Sequence, residues 1–282
     1  MNTRASTQAV GVAAVTTPLD LAVEERDRNV LKTVERAVEN RQARLAFQPV
    51  VSAAAPGKPA FFEGLARVLD HKGRTIPARE FIDAVETHEV GRALDCVALE
   101  LGLKALREFP ALKLSINMSA RSIGYRRWVQ TLERGLASGT SLSGRLILEI
   151  TEASAMVMPD VVQSFMLGLQ SQGITFALDD FGAGYTSFRY LKSFYFDMLK
   201  IDGQFIRGID TEPDNQVLVE ALVGIGRQFG MFTVAEMVET ETEARFLSAA
   251  GLDLLQGYLY GAPALKPNFA EPPAAEAAPV GA

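Results

Sequence analysis

FALDDFGAGYTSF, residues 176–188, runs an apolar segment straight into two adjacent carboxylates, Asp179 and Asp180, and then into a glycine-punctuated loop. Neighbouring aspartates repel each other, and the end of a buried strand is a costly place for either. A metal, a helix start or water could compensate. Which of these applies depends on what the rest of the chain brings to the same place.

The pattern recurs. Short apolar runs with a polar residue near the end appear as ARLAFQPVV (43–51), PAFFEGLAR (59–67), LKLSINMS (112–119), RLILEITE (145–152), ITFALDDFG (174–182), FDMLKIDGQF (196–205), MFTVAEMVE (231–239) and LDLLQGYLY (252–260). Helical spacing of apolar residues predicts helices over Glu25–Arg41, Glu80–Phe109, Tyr125–Ala137, Pro159–Gln172, Asp214–Phe229 and Thr240–Ala250. Gly173, Gly230 and Gly251 stand where helix C-caps favour glycine. Strands mostly separated by helices predict an α/β barrel, with an open doubly wound sheet as the competing architecture. Residues 1–30 read as a flexible leader, 31–267 as the barrel, and the proline- and alanine-rich 268–282 as a disordered tail.

Composition narrows the chemistry. The net charge of -6 disfavours a surface that coats DNA. One cysteine, Cys96, excludes an intramolecular disulfide and fits a reducing cytoplasm. With His71 and His88 the only histidines, any metal must be held by oxygen ligands. His88 reads as a surface residue, and Cys96 and Trp128 as packing residues. No apolar run approaches membrane-spanning length.

The polar residues at the strand ends are Gln48, Glu63, Asn117, Glu149 with Glu152, Asp179 with Asp180, Lys200 with Asp202, Glu236 with Glu239, and Gln256. Taken singly, each acid can cap a helix or face water; Asp202 can cap a turn, and Thr240 can cap the helix after Glu239. A barrel, however, gathers its strand ends on one face, where so many acids repel unless cations neutralise them. Oxygen-only ligands suit Mg²⁺ or Mn²⁺. Adjacent aspartates invite two ions sharing a bridge, about 4 Å apart, an arrangement suited to phosphodiester hydrolysis. Lys200 would orient the water or stabilise phosphoryl charge.

These segments also carry a family resemblance. FFEGLAR resembles the E-A-L-x-R signature of EAL-domain cyclic di-GMP phosphodiesterases. LSINMS, LILEITE, FALDDFGAGYTSFRYL, LKIDGQFI, AEMVET and LLQGYLYGAP resemble their later motifs in order. The resemblance implies a modified (β/α)₈ barrel with one antiparallel strand near its start. It implies two cations, Mg²⁺ or Mn²⁺: one on Glu63, Asn117, Glu149 and Asp179, the other on Asp179, Asp180 and Glu236. Lys200 and Gln256 would act at the hydrolytic water, together with Glu63 and Glu236. Gln48, Arg67 and Asp202 would bind cyclic di-GMP, Arg67 through a phosphate, and Glu152 and Glu239 would steady loops. A homodimer, with a regulatory protein partner, is the implied assembly. The alternative is a weak or inactive barrel serving as a cyclic di-GMP receptor or interaction module.

Departures from the pattern are Gly64 for the signature alanine, Met237 for a small residue beside Glu236, and Tyr195 for a proline before Lys200. Ala183, Thr186 and Phe188 in the loop after Asp180 are milder. A positive φ at 237 would strain methionine and could misplace Glu236.

Overall fold

The computed structural model describes residues 17–137, 142–182, 191–192 and 194–269. Helix α1 (Pro18–Glu39) leads into β1 (Ala43–Ser52), which turns back as β2 (Ala55–Leu69) and a short β3 (Thr75–Pro77). Then follow α2 (Ile82–Val85), α3 (Glu89–Glu108), β4 (Leu114–Asn117), α4 (Arg126–Leu136), β5 (Leu146–Thr151), α5 (Glu152–Ala155), α6 (Pro159–Gln170), β6 (Thr175–Phe181), β7 (Met198–Ile201), α7 (Pro213–Phe229), β8 (Phe232–Ala235), α8 (Glu241–Ala250) and β9 (Leu254–Gln256). The strand order is β1-β9-β8-β7-β6-β5-β4-β2-β3, and pairing of β1 with β2 closes eight of the strands into a barrel, leaving β3 outside. From β2 through β4 to β9 the barrel strands are parallel, whereas β1 is antiparallel to both neighbours. The modified (β/α)₈ architecture is therefore present, with β1 as its reversed strand.

Strand alternation divides the core. Outward-facing residues such as Leu45, Phe62, Leu114, Leu148 and Leu199 join the helices in the main apolar cluster. Inward, Val50, Phe61, Ile147, Ala177 and Val234 form a separate plug, with Met198 and Leu254 packed on it. Side chains two residues apart share a face of a strand. The next inward position on each of these strands is Gln48, Glu63, Glu149, Asp179, Glu236, Lys200 or Gln256. An apolar plug thus carries a polar layer directly above it.

Several boundaries differ from the sequence pattern. Helix α1 starts at Pro18 rather than Glu25, so it takes in part of the stretch read as leader. Its second half packs Val30, Leu31, Val34, Ala37 and Val38 against Val68, Phe81 and Leu94, while Leu21 and Val23 are exposed. The single helix expected over 80–109 breaks, because His88 is extended (φ -99°, ψ 162°). Gly91 makes the corner possible: a β-carbon there would lie 2.5 Å from the Val85 carbonyl oxygen. Phe269 packs edge-on against Phe47 and Phe62 with centroids 5.2 and 5.1 Å apart, so a residue assigned to the tail belongs to the core. The rest of the tail from residue 270, residues 1–16 of the leader, and Ala183, Gly184, Thr186 and Phe188 lie outside the described residues.

Gly64 has a local explanation. A β-carbon there would meet Ile116 Cδ1 at 2.7 Å, and the same methyl group crowds Gly102 on α3. Ile116 fills the space that the signature alanine would use.

The β2–β3 turn is held by Asp70, which accepts from the Lys72 and Arg74 backbone at 2.8 and 2.9 Å and from Arg74 Nε at 2.7 Å. Burial alone would raise this carboxyl; the hydrogen bonds from Arg74 and Lys72 prevail and bring it down to about 2. Its unfolded value is about 3.9. The stabilisation is therefore complete above pH 4 and disappears as pH falls through about 2. We expect Asp70→Asn to lower stability at pH 6, measured by urea denaturation, with the difference from the parent chain shrinking as pH drops from 4 towards 2. A gap independent of pH would contradict this assignment.

Candidate active site

The polar layer centres on Lys200, which is 1% exposed. Its Nζ lies 2.7 Å from Asp179 Oδ1, 2.7 Å from Glu236 Oε1, 3.0 Å from Glu149 Oε2 and 3.5 Å from Glu63 Oε2. Burial pushes the ammonium down, but Asp179, Glu149, Glu236 and Glu63 outweigh it and hold it well above its ordinary value. Burial raises Glu149 and Glu236 well above the usual carboxylate range, reinforced by neighbouring acids. For Glu63 burial acts the same way, yet Lys200 and the amides of Gln256 and Asn117 leave it lowered.

Those amides tie four strands together, β1, β2, β4 and β9. Asn117 Nδ2 donates to Glu63 Oε1 at 2.7 Å, and Gln256 Nε2 donates to Glu63 Oε2 at 2.6 Å and to Gln48 Oε1 at 3.2 Å. Gln48 Nε2 in turn donates to the Gly261 carbonyl at 3.2 Å. Because β1 runs backwards, Gln48 enters the ring opposite Glu63 in the β1–β2 register.

Asp180 depends on an irregularity. In an even strand it would face away from Asp179, but the β6–β7 register shifts between Leu178 and Phe181, and Asp180 adopts φ +53°. The bulge turns both aspartates to one side. Oxygens of Asp179, Asp180 and Glu236 lie within 4.8 Å of one another, as do those of Glu63, Glu149 and Asp179. Burial, then the Asp179 charge, push Asp180 up to about 6. Met237 does have a positive φ, +55°, and lies against Gly203 so closely that a β-carbon on that glycine would overlap its side chain. Glu236 is nevertheless in place, 2.7 Å from Lys200.

The remaining predicted residues sit around this ring. Glu152 is buried and accepts from Gly182 N at 3.2 Å, at the start of the loop after Asp180. Asp202 accepts from Gln204 N at 2.7 Å, the turn cap that its position also allowed. Arg67 is buried on the inward face of β2, two strand repeats beyond Glu63. Glu239 is exposed and faces Arg207 at 3.5 Å. Buried Glu243 instead ties the loops after β7 and β8, accepting from Gly208 N, Glu239 N and Thr240 N at 2.8–2.9 Å. Its sequence signal was the capping box Thr240-x-x-Glu243. Asp95 was also missed: it accepts from Ser119 N at 3.0 Å and Ser122 Oγ at 2.6 Å, fixing the chain just after Asn117. His88 is exposed, Cys96 is buried, and Trp128 packs on Phe165. Despite Tyr195, β7 begins in register, with Asp197 Oδ2 accepting from Phe176 N at 2.8 Å.

Proteins of similar sequence and fold are known. MucR of Pseudomonas aeruginosa, a bifunctional diguanylate cyclase/cyclic di-GMP phosphodiesterase, is 32% identical over 240 residues, 83% of this chain and 35% of its own length. The cyclic di-GMP phosphodiesterase PdeF of Escherichia coli is 29% identical over 238 residues, again 83% of this chain and 32% of its own length. The chain thus spans about a third of these curated relatives. The solved PaMucR phosphodiesterase complex with c-di-GMP has a TM-score of 0.76 at 30% identity, covering 84% of this chain and 97% of that one. The FimX EAL domain from Pseudomonas aeruginosa bound to c-di-GMP has a TM-score of 0.74 at 25% identity, covering 86% and 99%. The EAL domain model matches residues 31–263, the whole closed barrel from β1 to β9, and the chain belongs to the EAL domain family.

Proposed function

We propose that this barrel hydrolyses cyclic di-GMP to the linear dinucleotide with the help of Mg²⁺ or Mn²⁺. The observation that carries the reading is the pair of oxygen clusters sharing Asp179. Glu63, Asn117, Glu149 and Asp179 would hold one cation, and Asp179, Asp180 and Glu236 the other. The donor set fits, since all of these side chains offer oxygen and one lysine cannot balance five carboxylates. Gln256 Oε1, buried and without a hydrogen-bond partner among the described residues, offers a further acceptor at the ring. When bound, the cations supply positive charge at the scissile phosphate and acidify the attacking water.

The chain's own residues do the rest. Lys200 is fixed by its four carboxylates and presents a permanent positive charge where phosphoryl charge develops. Gln256 orients Glu63 through one amide hydrogen and Gln48 through the same nitrogen. Gln48 and Arg67, with Asp202, would hold the nucleotide, and Glu152 would keep the loop after Asp180 in place. Water adds to phosphorus as one ribose oxygen leaves, which opens the ring. A homodimer, a regulatory protein partner and a cytoplasmic setting complete the proposal. Among the described residues no helix is long and apolar enough to cross a membrane. The receptor alternative draws on Met237, whose strained backbone adjoins Glu236.

Glu63→Ala is expected to lower turnover of cyclic di-GMP at least about 100-fold, followed by chromatography of the linear product, and to weaken Mn²⁺ binding measured by titration calorimetry. Turnover at the parent rate would refute the ligand assignment. Met237→Gly should be about 1 kcal/mol more stable to unfolding than Met237→Ala, because both lose the thioether and left-handed backbone penalises only the alanine β-carbon, by roughly that amount. Met237→Ala keeps the penalty and loses the contact with Gly203, so it should destabilise. Denaturation curves in which the alanine variant is as stable as the glycine variant would show that the backbone at 237 is not strained.

A further inference from the structure

Arg67 is 9% exposed, yet its side chain's one hydrogen bond among the described residues is to its neighbour's carbonyl, Ala66 O at 2.9 Å. No carboxylate lies within ion-pair distance of it among the described residues. A buried guanidinium without an acid partner is costly. Its surroundings increase the cost. In the β1–β2 register Arg67 is directly opposite Arg44, and both residues belong to the inward faces of their strands. Like charges in that relation destabilise a sheet. On its other side Arg67 pairs with Pro77 of β3, and the chain then enters a 3-10 turn, Ala78–Glu80, that carries Arg79. Burial first, and then the like charge of Arg79, lower the Arg67 guanidinium. Arg44 and Arg79 are both exposed; Arg44 donates to the Arg41 and Ala43 carbonyls at 3.1 and 2.7 Å, and neither has an acid within ion-pair distance among the described residues.

Arg67 therefore stands between Arg44, opposite it in the β1–β2 register, and Arg79, on the turn after β3, at one corner of a mouth whose floor is acidic. Glu63 and Arg67 are four residues apart on one strand, a rise of about 13 Å between their α-carbons. An anion reaching from the floor to this corner must present a second negative group. We infer that Arg79 and Arg44 complete, with Arg67, a second anion subsite that binds the phosphate of the cyclic dinucleotide that is not being cut. Arg67 forms its buried wall and the two exposed arginines close over it. Planar guanidinium groups suit phosphate oxygens, and a bound phosphate would offset the repulsion among them. The three-residue strand β3 then has a role, since it delivers Arg79 beside Arg67 while lying outside the barrel.

This inference rests on the proposed cyclic di-GMP reading, and the test separates the two. Arg79 is exposed on a surface turn, so substitutions there spare the core. Titration calorimetry with cyclic di-GMP is expected to give about tenfold weaker binding for Arg79→Gln, a larger loss for Arg79→Glu, and recovery to within about threefold for Arg79→Lys. The salt dependence of affinity should also fall in Arg79→Gln, because one ionic contact has been removed. If the parent chain binds and the glutamine and glutamate variants bind equally well, the subsite is refuted while the functional reading stands. If the parent chain does not bind cyclic di-GMP, the functional reading fails, and inorganic pyrophosphate becomes the probe. Weaker pyrophosphate binding in Arg79→Glu then supports the anion subsite; equal binding, or none by the parent chain, overturns it.

Discussion

The site is organised by one buried ammonium. Lys200 sits 1% exposed among Glu63, Glu149, Asp179 and Glu236, on top of an apolar plug. Removing such ions from water costs several kcal/mol each, and only close geometry returns it. The closed barrel supplies that geometry by drawing each acid from a different strand, so that backbone ladders, rather than flexible side chains, set the spacing. An open sheet would spread the same acids along a line, leaving one lysine unable to reach all four.

Regular alternation accounts for most of the ring, and its three exceptions each add something that alternation cannot. Reversed β1 brings Gln48 down from the mouth to face Glu63 across a strand pair. The β6 bulge lets consecutive aspartates share a side, which gives Asp179 its place in both oxygen clusters. The left-handed turn at Met237 ends β8 sharply after Glu236 and lays the thioether over Gly203 at the end of β7. Strain of this kind is tolerated where surrounding contacts over-determine the backbone; here Glu236 N is tied to Ile201 O and Val238 N to Gln256 O.

The barrel strands were legible because each couples an apolar run to a polar end. Elements without such a signal were not. Strand β3 is three residues long, and α5 is a single turn set by the Thr151 hydroxyl accepting from Ser154 N. The break at His88 depends on a close approach to Val85, which no local pattern encodes. Among site residues, the acids and Lys200 stood at strand ends and could be found there. Asp95 could not, because its partners Ser119 and Ser122 lie on a distant segment. Glu243 could have been found from its capping box, though not its reach to Gly208. Glu239, read with Glu152 as a loop support, proves to be an exposed neighbour of Arg207.

Charge placement also resolves an apparent conflict between the whole chain and its mouth. A net charge of -6 and an acid floor should repel any anionic ligand. The floor, however, is screened from above by its own burial, whereas Arg44 and Arg79 stand at the rim, where an approaching ligand meets them first. Exposed charges act over about 10 Å at moderate salt, so the rim governs the encounter more than distant surface acids do. Deeper in, the proposed hydrolysis would need added cations before a phosphate could settle among the acids. Under the proposed function, the fold separates two tasks along the strand direction: arginines would face the intact anion, and carboxylates would gather the cations that its scissile bond requires. Both sets share β2, where four residues separate Glu63 from Arg67, so the register of that one strand fixes the distance between recognition and chemistry.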